Sequence, residues 1–554
     1  MSRASWRSLL LRLHPLALFL VLLGRGSGAD AGPGYRRIPV ALPPGPRAGF
    51  RSLDPSLTGI TFTNFLTADH SLTNTVVNNG SGVALGDVDG DGRCDLYFCR
   101  LDGPNVLYRN LGDWKFEDVT ASAGVACDGQ WSTGAVFADV DGDGDLDLLV
   151  NGIGHGTRLF LNDGHGRFEE KRDSGLSQNA GSTSLALADM DGDGDLDLYV
   201  VNYRSSTILD QPQTRFSVAM SNGVPVVTRV NGVPVAGTEF AHRFTVGPGG
   251  TPREAGEADT LYRNDGKGKF TAVSFPEAFR NEAGRPAATP YDWGLSVQFR
   301  DFNGDGAPDL YVCNDTDSPD RFWINDGHGV FHAAAPFALR HTSLSSMGVD
   351  VADINRDGHD DFIVLDMQAR RLVQRQVQRE KGAPIQGGDD SGMGRMQVPR
   401  NTLFLGRGDG TFAEAALAMG VSATDWSWSA VFLDVDLDGY EDLLISNGFQ
   451  RDVLDSDAAA EIQRLKASRR WSPLEELHLR SRFPAWRTAN VAFRNVGGVG
   501  FEEVGGVGIW GGGVSNGMGV GDLDGDGDLD VVLNNLNGVA SVLRNEGAGR
   551  RVGR

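Results

Sequence analysis

A nine-residue pattern of acidic residues and glycine, D-x-D/N-x-D-G-x-x-D, occurs seven times in this chain of 554 residues. Side-chain oxygens recur at its positions 1, 3, 5 and 9, and position 6 is always glycine, which takes a positive φ without a Cβ clash. A short apolar run lies before and after every copy. Hard oxygens at this spacing indicate a loop that wraps Ca²⁺, which accepts about six to eight oxygen ligands in a flexible shell.

Each loop closes on the aspartate at position 9, because position 12 is an apolar strand residue and not the glutamate of an EF-hand. We expect the backbone carbonyl of position 7 to complete the shell. Mg²⁺ demands stricter octahedral geometry, and no soft ligand recurs that would suit zinc. The alternative is a metal-free turn, which seven matched copies disfavour. The predicted ligands of up to seven Ca²⁺ are Asp87, Asp89, Asp91, Arg93 and Asp95; Asp139, Asp141, Asp143, Asp145 and Asp147; Asp189, Asp191, Asp193, Asp195 and Asp197; Asp301, Asn303, Asp305, Ala307 and Asp309; Asp353, Asn355, Asp357, His359 and Asp361; Asp434, Asp436, Asp438, Tyr440 and Asp442; and Asp522, Asp524, Asp526, Asp528 and Asp530.

The loops belong to a repeating unit of four short strands, with the loop between strands 1 and 2. The third strand and the turn after it have their own signature, as in LFLNDGHGRF (159–168) and LYRNDGKGKF (261–270). The last unit ends at VLRNEGAG (542–549) without a fourth strand, and a stray strand, GITFTNF (59–65), lies before the first unit. We therefore predict an all-β fold, a seven-bladed β-propeller in which residues 59–65 close the last blade.

The N-terminal residues are typical of a secretory signal. Arg3, Arg7 and Arg12 precede a short apolar core at residues 15–24, which is too short to span a bilayer. We expect a secreted or extracytoplasmic protein with no stable membrane insertion after signal cleavage; an uncleaved anchor is the alternative. The predicted organisation is a signal peptide at 1–29, a linker at 30–58, the propeller at 59–546 and a tail at 547–554.

Composition limits the partners and the covalent chemistry. The net charge of −22 is concentrated in the loops and gives no basic footprint for nucleic acid. Four cysteines are few for a secreted chain, so disulfides do not carry the fold. Cys94 with Cys127 is the one pair that the predicted arrangement leaves open.

Three units carry long insertions between strands 2 and 3, at residues 202–260, 366–400 and 447–490. In an antiparallel blade these connections lie opposite the metal loops, on what we call the insertion face, and long loops on a rigid scaffold often carry function. Neutral drift in tolerant loops is the alternative. Residues 458–480 of the third insertion have a helical pattern broken at Pro473. Five tryptophans at or just before a first strand, on the same face, are candidate ligand-stacking residues or packing between blades: Trp131, Trp293, Trp426, Trp428 and Trp510.

Three segments carry a family resemblance: LDVDLDGYEDLLISNGFQRDV (433–453), NVAFRN (490–495) and SNGMGVGDLDGDGDLDVVLNN (515–535). They resemble FG-GAP/VCBS repeat propellers, and more closely the bacterial relatives of cartilage acidic protein. The resemblance covers residues 59–546 and implies a fold similar to the head of integrin α subunits, where such loops hold Ca²⁺. Those relatives continue into a C-terminal ASPIC/UnbV domain, which we expect to be missing here. The resemblance implies calcium binding and extracellular interaction, and supplies no established reaction.

These observations predict a secreted, monomeric, calcium-binding propeller that acts as a glycan- or protein-binding module and not as an enzyme. The sequence contains no G-x-S-x-G, P-loop, H-E-x-x-H or C-x-x-C motif. One alternative is a polysaccharide lyase, for which the Arg-rich residues 370–381 would supply basic groups. The other is a structural or adhesive surface protein.

Removal of calcium should lower the melting temperature markedly. Clustered aspartates repel one another without a cation, and an ion that binds only the folded chain stabilises it by mass action. Differential scanning fluorimetry in excess chelator, followed by addition of Ca²⁺ or Mg²⁺, measures the effect, and Mg²⁺ should restore stability poorly. An unchanged melting curve in chelator would contradict the prediction.

Overall fold

A computed structural model describes residues 49–316, 318–378, 395–505 and 513–547, together with the short strands at 31–32, 35–36 and 385–386. By its contacts the chain divides into a small unit, Met1–Ala41, and a main unit, Leu42–Arg554. In the small unit, strands β1 (Ala31–Gly32) and β2 (Tyr35–Arg36) pair antiparallel. The predicted signal peptide at 1–29 and most of the predicted tail at 547–554 lie outside the described residues.

Seven antiparallel sheets follow one another through the described part of the main unit, each with one predicted metal loop between its first two strands. We number the sheets 1 to 7 in the order of these loops. Each has four core strands, and sheet 4 gains a fifth that runs parallel to its last. The strands are, in sheet 1, β4 (Val83–Gly86), β5 (Asp95–Phe98), β6 (Val106–Asn110) and β7 (Phe116–Asp118); in sheet 2, β8 (Trp131–Ala138), β9 (Asp147–Ile153), β10 (Gly156–Asn162) and β11 (Phe168–Glu170); in sheet 3, β12 (Ser182–Ala188), β13 (Asp197–Asn202), β19 (Thr260–Asn264) and β20 (Phe270–Val273); in sheet 4, β22 (Gly294–Arg300), β23 (Asp309–Asn314), β24 (Arg321–Asn325), β25 (Phe331–Ala333) and the added β21 (Phe279–Arg280); in sheet 5, β27 (Gly348–Ala352), β28 (Asp361–Leu365), β31 (Thr402–Gly406) and β32 (Phe412–Glu414); in sheet 6, β33 (Ser427–Leu433), β34 (Asp442–Asn447), β35 (Val491–Asn495) and β36 (Phe501–Glu503); and in sheet 7, β37 (Ser515–Gly521), β38 (Asp530–Asn535), β39 (Ser541–Asn545) and β3 (Phe50–Ser52).

The first strands of the sheets contact one another in cyclic order. Strand β4 contacts β8, the contacts continue through β12, β22, β27, β33 and β37, and β37 contacts β4. Apolar clusters fill the space between neighbouring sheets: Tyr97 of sheet 1 packs with Leu148 of sheet 2, and Val532 of sheet 7 packs with Phe98 of sheet 1. Sheets that bury both faces against their neighbours around a common centre form a β-propeller, so the all-β prediction is confirmed.

The strand that completes sheet 7 is not the predicted one. Strand β3 pairs antiparallel with β39, with Phe50 opposite Asn545. The predicted closing strand at 59–65 makes only isolated bridges at Thr63 and Asn64. Asp54 caps a short helix at Pro55 soon after β3, so the chain leaves the ladder of sheet 7 before it reaches residues 59–65. The propeller therefore begins about residue 49, inside the predicted linker at 30–58.

Most of the remaining elements lie in the three insertions. The helical prediction for the third insertion is confirmed, because Pro473 begins the second of two helices and Ser472 and Glu475 form a capping box. No helix among the described residues is long and apolar enough to cross a membrane. The first insertion contains 3-10 helices at Ile208–Asp210 and Pro248–Gly250, β14 (Phe216–Ser221), β15 (Val224–Val230), β16 (Val233–Pro234), β17 (Phe244–Val246) and β18 (Pro252–Glu254); the second contains α5 (Leu372–Val377), β29 (Ile385–Gln386) and β30 (Met396–Val398), which pairs with β26 (His341–Ser343); the third contains α6 (Ser456–Ser468), α7 (Pro473–His478) and a 3-10 helix at Leu479–Arg482; elsewhere lie α1 (Pro55–Thr58), α2 (Ala68–Thr73), a 3-10 helix at Val76–Asn79, α3 (Thr120–Ala123) and α4 (Phe275–Ala278).

All four cysteines are free thiols, so the Cys94–Cys127 disulfide left open by the sequence is not formed. Cys127 lies in the apolar layer between sheets 1 and 2, where its Sγ is 3.6 Å from the hydroxyl of Tyr97. Burial raises the pKa of Cys94 to about 12, so this thiol is inert at neutral pH.

Phe50→Ala should lower the free energy of unfolding by about 3 kcal/mol, because the Phe50 ring is 7 % exposed and packs with Leu543 and Leu433 of sheets 7 and 6. Phe65→Ala is the matched control: Phe65 lies in the strand predicted from sequence, is 52 % exposed, and should change stability by less than about 0.5 kcal/mol. Urea unfolding in saturating Ca²⁺ measures both. Equal effects of the two substitutions would contradict closure by β3.

Candidate functional site

The aspartate at position 1 folds each loop back on itself. Its carboxylate accepts a hydrogen bond from the backbone N–H of the position 6 glycine in all seven loops, at 2.7 to 3.1 Å. Those glycines have φ between 84° and 96°, as the sequence predicts. The position 5 carboxylate accepts from the N–H of position 7, so each position 7 residue is held by its backbone whatever its side chain: Arg93, Asp145, Asp195, Ala307, His359, Tyr440 and Asp528.

The aspartate at position 9 is buried at the base of each loop, with 0 to 6 % of its surface exposed. One oxygen accepts from the N–H of position 2, and the other accepts from the N–H of the last residue of the third strand. Burial raises the pKa of Asp95 to about 6 and that of Asp530 to about 8, because the charged carboxylate loses solvation. These residues are Asp95, Asp147, Asp197, Asp309, Asp361, Asp442 and Asp530.

The hydrogen bonding of the position 3 aspartate indicates whether the loops could hold a cation. In five loops its Oδ1 is buried and has no hydrogen-bond partner among the described residues; these are Asp89, Asp141, Asp191, Asp436 and Asp524. Ligand oxygens of Asp87, Asp89 and Asp95 lie within 4.8 Å of one another, and loops 2, 3, 6 and 7 contain similar clusters. Two oxygens on one Ca²⁺ are at most about 5 Å apart. The donor set therefore fits Ca²⁺, which when bound would neutralise the clustered carboxylates.

In loops 4 and 5 asparagine replaces aspartate at position 3. The side-chain oxygens of Asn303 and Asn355 each accept from the N–H of position 5 at 2.9 Å. Loop 4 retains the position 1 and position 9 bonds through Asp301 and Asp309, and loop 5 retains them through Asp353 and Asp361. An amide oxygen is also a calcium ligand, so these two loops keep the same framework with one charge fewer.

An arginine on the third strand contacts the loop in four sheets, a contact that sequence reasoning missed. Its guanidinium meets the outer oxygen, Oδ2, of the position 3 aspartate and leaves Oδ1 facing inward. The signal in the sequence is the arginine before the terminal asparagine, as in LYRN. The pairs are Arg109–Asp89 at 2.6 Å, Arg263–Asp191 at 3.2 Å, Arg494–Asp436 at 3.0 Å and Arg544–Asp524 at 3.1 Å.

The terminal asparagine of the third strand links neighbouring sheets. Its side-chain amide donates to the position 2 carbonyl in the loop of the preceding sheet, so the metal loop of one sheet is fastened to the next. This contact was also missed, although the asparagine recurs in six of the seven third strands. The links are Asn110 to Leu523, Asn162 to Val88, Asn264 to Val140, Asn325 to Met190 and Asn495 to Ile354, at 2.8 to 3.0 Å.

A cavity of about 700 Å³ lies where the insertions meet the helices before sheet 1. Its lining includes Tyr203, Trp293 and Met367, which lie within two residues of strands of sheets 3, 4 and 5 at the ends away from the predicted metal loops. Its walls come from α2, α6 and α7. The first and third insertions thus converge on one concave site, as strand parity predicts, and the second contributes Met367.

The lining of this cavity is largely apolar, and two of its charged side chains, Arg480 and Lys466, form ion pairs within the protein. Arg480 bonds Asp210 at 3.0 Å and the carbonyl of Leu72 at 2.7 Å, which ties α2 to the first and third insertions. Lys466 pairs with Glu476 at 2.8 Å. The apolar lining includes Leu72, Val76, Leu209, Val453, Ile462 and Leu477.

The tryptophans selected from sequence occupy different positions. Trp293 and Trp426 line the cavity, but they are 8 % and 6 % exposed, and Trp426 is stacked on Phe449 with ring centroids 4.1 Å apart. Trp428 packs in the same cluster and donates to the carbonyl of Gly448 at 2.6 Å. Trp131 contacts the ring of His70 and does not line the cavity. Trp510 lies outside the described residues.

Comparison with known proteins identifies the repeating units as FG-GAP-like repeats. The profile of the FG-GAP-like repeat matches residues 87–150, 146–200, 249–312, 301–364 and 389–445, which together cover just over half of the chain. Cartilage acidic protein 1 of Homo sapiens is 35 % identical over 82 residues, and that of Xenopus tropicalis is 34 % identical over 82 residues. These alignments cover 15 % of this chain and 12 to 13 % of the relatives' own length.

Two solved structures with low overall similarity also match. One is an Agrocybe aegerita lectin that recognises non-reducing terminal N-acetylglucosamine, with 16 % identity and a TM-score of 0.40 over 85 % of this chain and 92 % of that one. The other is the Dos1 propeller, with 8 % identity and a TM-score of 0.36 over 84 % and 93 %. At these scores neither likeness carries an argument about the ligand.

In excess chelator, the free energy of unfolding should fall as pH rises from about 4 to about 8. The buried position 9 aspartates have folded pKa values raised from 3.8 to about 6 in Asp95 and about 8 in Asp530, so the folded chain holds protons that the unfolded chain releases. The stabilisation that these protonated aspartates provide is complete below their pKa in the unfolded chain. It is lost as the pH rises through their pKa values in the folded chain. Ca²⁺ should oppose this fall because it binds the deprotonated loops. Urea unfolding across this pH range, with and without Ca²⁺, measures the slope; stability in chelator that rises with pH would contradict it.

Proposed function

Because the chain belongs to the FG-GAP-like repeat family, we propose that it is an exported, calcium-binding, seven-bladed β-propeller that serves as a binding module for an extracellular partner. The seven sheets with cyclic contacts between their first strands support the blade count. The signal-like N-terminus supports export. We propose a monomer that binds a glycan or a protein and neither nucleic acid nor, once the signal is removed, a membrane.

The observation that carries calcium binding is the set of buried position 3 oxygens without a partner. A buried carboxylate oxygen that no N–H or O–H reaches is costly unless a cation meets it. Five loops repeat this feature beside converging carboxylates. Ca²⁺ in up to seven loops would supply the missing partner and lower the net charge of −22.

The insertion-face cavity is our proposed partner site. Its volume is in the range of ligand pockets, about 300–1,000 Å³. Between the two partner classes, the lining favours a protein segment that inserts apolar side chains, because Trp293 and Trp426, which line the cavity, are buried and offer little open ring face for a sugar to stack on. The rim still provides exposed apolar contact at Leu209 and Val453, which are 65 % and 43 % exposed.

The family assignment supports a binding module and not an enzyme. The lyase alternative required free basic groups from residues 370–381. Arg370 instead bonds Asp425 at 2.7 Å and Glu503 at 2.6 Å, which commits its guanidinium to holding the second insertion against sheet 6. A structural or adhesive surface role is compatible with the same site and differs only in the partner.

Leu209→Glu and Val453→Glu should each weaken partner binding at least about tenfold, because they place a charge on the apolar rim. Leu417→Glu is the matched control, since Leu417 is 68 % exposed and does not line the cavity. Ligands selected in Ca²⁺ from a random-peptide library and from a glycan array are titrated by biolayer interferometry. We expect peptide ligands to lose affinity for both rim variants and to retain it for the control.

Further measurements test whether the partner site is separate from the metal loops and whether the protein has lyase activity. Calcium content should be unchanged in the rim variants, and the lyase assay for unsaturated products should be negative. Ligands that bind both rim variants as tightly as the unsubstituted protein, yet lose binding when Asp301→Ala is introduced into a chain that remains folded, would move the partner site to the metal face and overturn this proposal.

A further inference from the structure

The seven metal loops differ at one position on the third strand. The residue before the last residue of that strand is arginine in sheets 1, 3, 6 and 7 and apolar in sheets 2, 4 and 5, as Leu161, Ile324 and Leu405. The arginines occur where position 3 of the loop is aspartate, and two of the apolar residues occur where it is asparagine, at Asn303 and Asn355. Sheet 2 alone combines an aspartate at position 3, Asp141, with an apolar neighbour.

This pairing brings the summed charge of positions 1, 3, 5 and 9 and the third-strand arginine to the same value in most loops. In sheets 3, 6 and 7 four carboxylates at positions 1, 3, 5 and 9 and one guanidinium leave a net charge of −3. In sheets 4 and 5 three carboxylates and one amide give the same −3. Sheet 1 is less negative, at −2, because Arg93 and Arg109 both contact Asp91. On the same count of positions 1, 3, 5 and 9, the loop of sheet 2 has four carboxylates and no guanidinium, at −4. Asp145 at position 7 adds a further negative charge outside this count, as Asp195 and Asp528 do in loops 3 and 7.

The geometry agrees with this charge count. Within the part of the chain that the structure describes, no ion pair within 4.0 Å reaches the loop at 139–147. The nearest turn of sheet 3 lies beside Gly142 and carries Lys267 and Lys269, whose side chains are exposed and screened by solvent. Asp141 Oδ1 is nevertheless buried without a partner, like its counterparts in the arginine-bearing loops.

We propose that the loop at 139–147 is the tightest calcium site of this protein and that the third-strand arginines hold the other aspartate loops at lower affinity. The proposal rests on the calcium binding proposed above. Affinity of oxygen-ligand sites rises with ligand charge. A guanidinium that shares the position 3 carboxylate with the ion repels it and withdraws part of the ligand's charge, and one charge at such a distance changes affinity by about tenfold or more.

Calcium titration against chromophoric chelators, with metal analysis of the bound fraction, tests the proposal. The unsubstituted protein should retain one ion per chain at free Ca²⁺ concentrations that empty the remaining loops. Asp141→Asn, which brings this loop to −3 without changing its shape, should weaken that ion by about tenfold. Leu161→Arg, which supplies the missing guanidinium, should have the same effect. Arg544→Leu should create a second tight ion, because loop 7 then also carries −4.

Arg172→Leu is the charge control. It removes a positive charge from an exposed position just beyond sheet 2, with a side chain that is 86 % exposed, and should leave the titration unchanged. Circular dichroism establishes that each variant is folded, and Asp141→Asn provides the test if Leu161→Arg fails to fold. No bound calcium in any variant would refute the proposed calcium binding itself. Calcium bound with seven equal affinities, a tight ion that survives Asp141→Asn, or no second tight ion in Arg544→Leu would overturn the present inference alone.

Discussion

A buried carboxylate at the base of each loop connects that loop to the third strand of its sheet. The position 9 aspartate accepts one hydrogen bond from the start of its own loop and one from the end of the third strand, so a single side chain fixes the hairpin, the metal loop and the centre of the sheet. Burial of a carboxylate is costly unless its oxygens are satisfied. The two N–H donors meet part of that requirement in the first loop, where the carboxylates of Asp89 and Asp91 at positions 3 and 5 still repel the charge of Asp95.

The order of the strands places the predicted calcium sites and the proposed partner site at opposite ends of the sheets. Loops between strands 1 and 2 emerge at one end of every sheet, and connections between strands 2 and 3 emerge at the other. The predicted metal ligands are therefore confined to one face, and the insertions lie on the opposite face. Arg480 illustrates the result, since it joins α2 and the first insertion around a cavity that no metal ligand lines.

Periodic features were predictable from sequence, and contacts between units were not. The seven loops, their glycines and the sheet pattern follow from local spacing, because strand and turn chemistry act over a few residues. Residues 59–65 alternate like a strand, yet Phe50 closes sheet 7 because its ring fills a pocket between sheets 6 and 7, which spacing alone does not reveal. The contact of Arg109 with Asp89 was hidden for the same reason, since it joins positions 20 residues apart. Trp426 was selected by its position before a first strand, but its burial depends on the ring of Phe449, on which it stacks.

The asparagine hydrogen bonds described above join some neighbouring sheets and not others. Four of them connect sheets 7, 1, 2, 3 and 4 into one arc, and one connects sheets 5 and 6. Among the described residues the link is missing between sheets 4 and 5, where Gly406 has no side chain, and between sheets 6 and 7, where the amide of Asn545 donates to Leu529 in its own loop. At the joint between sheets 4 and 5 an ion pair takes the place of the amide link, because the guanidinium of Arg300 on the first strand of sheet 4 bonds both carboxylate oxygens of Asp360 in the loop of sheet 5. The cavity lies across the same joint, between Trp293 of sheet 4 and Met367 of sheet 5, so a surface charge pair, which salt screens more than a buried amide bond, joins the two sheets that carry part of its lining.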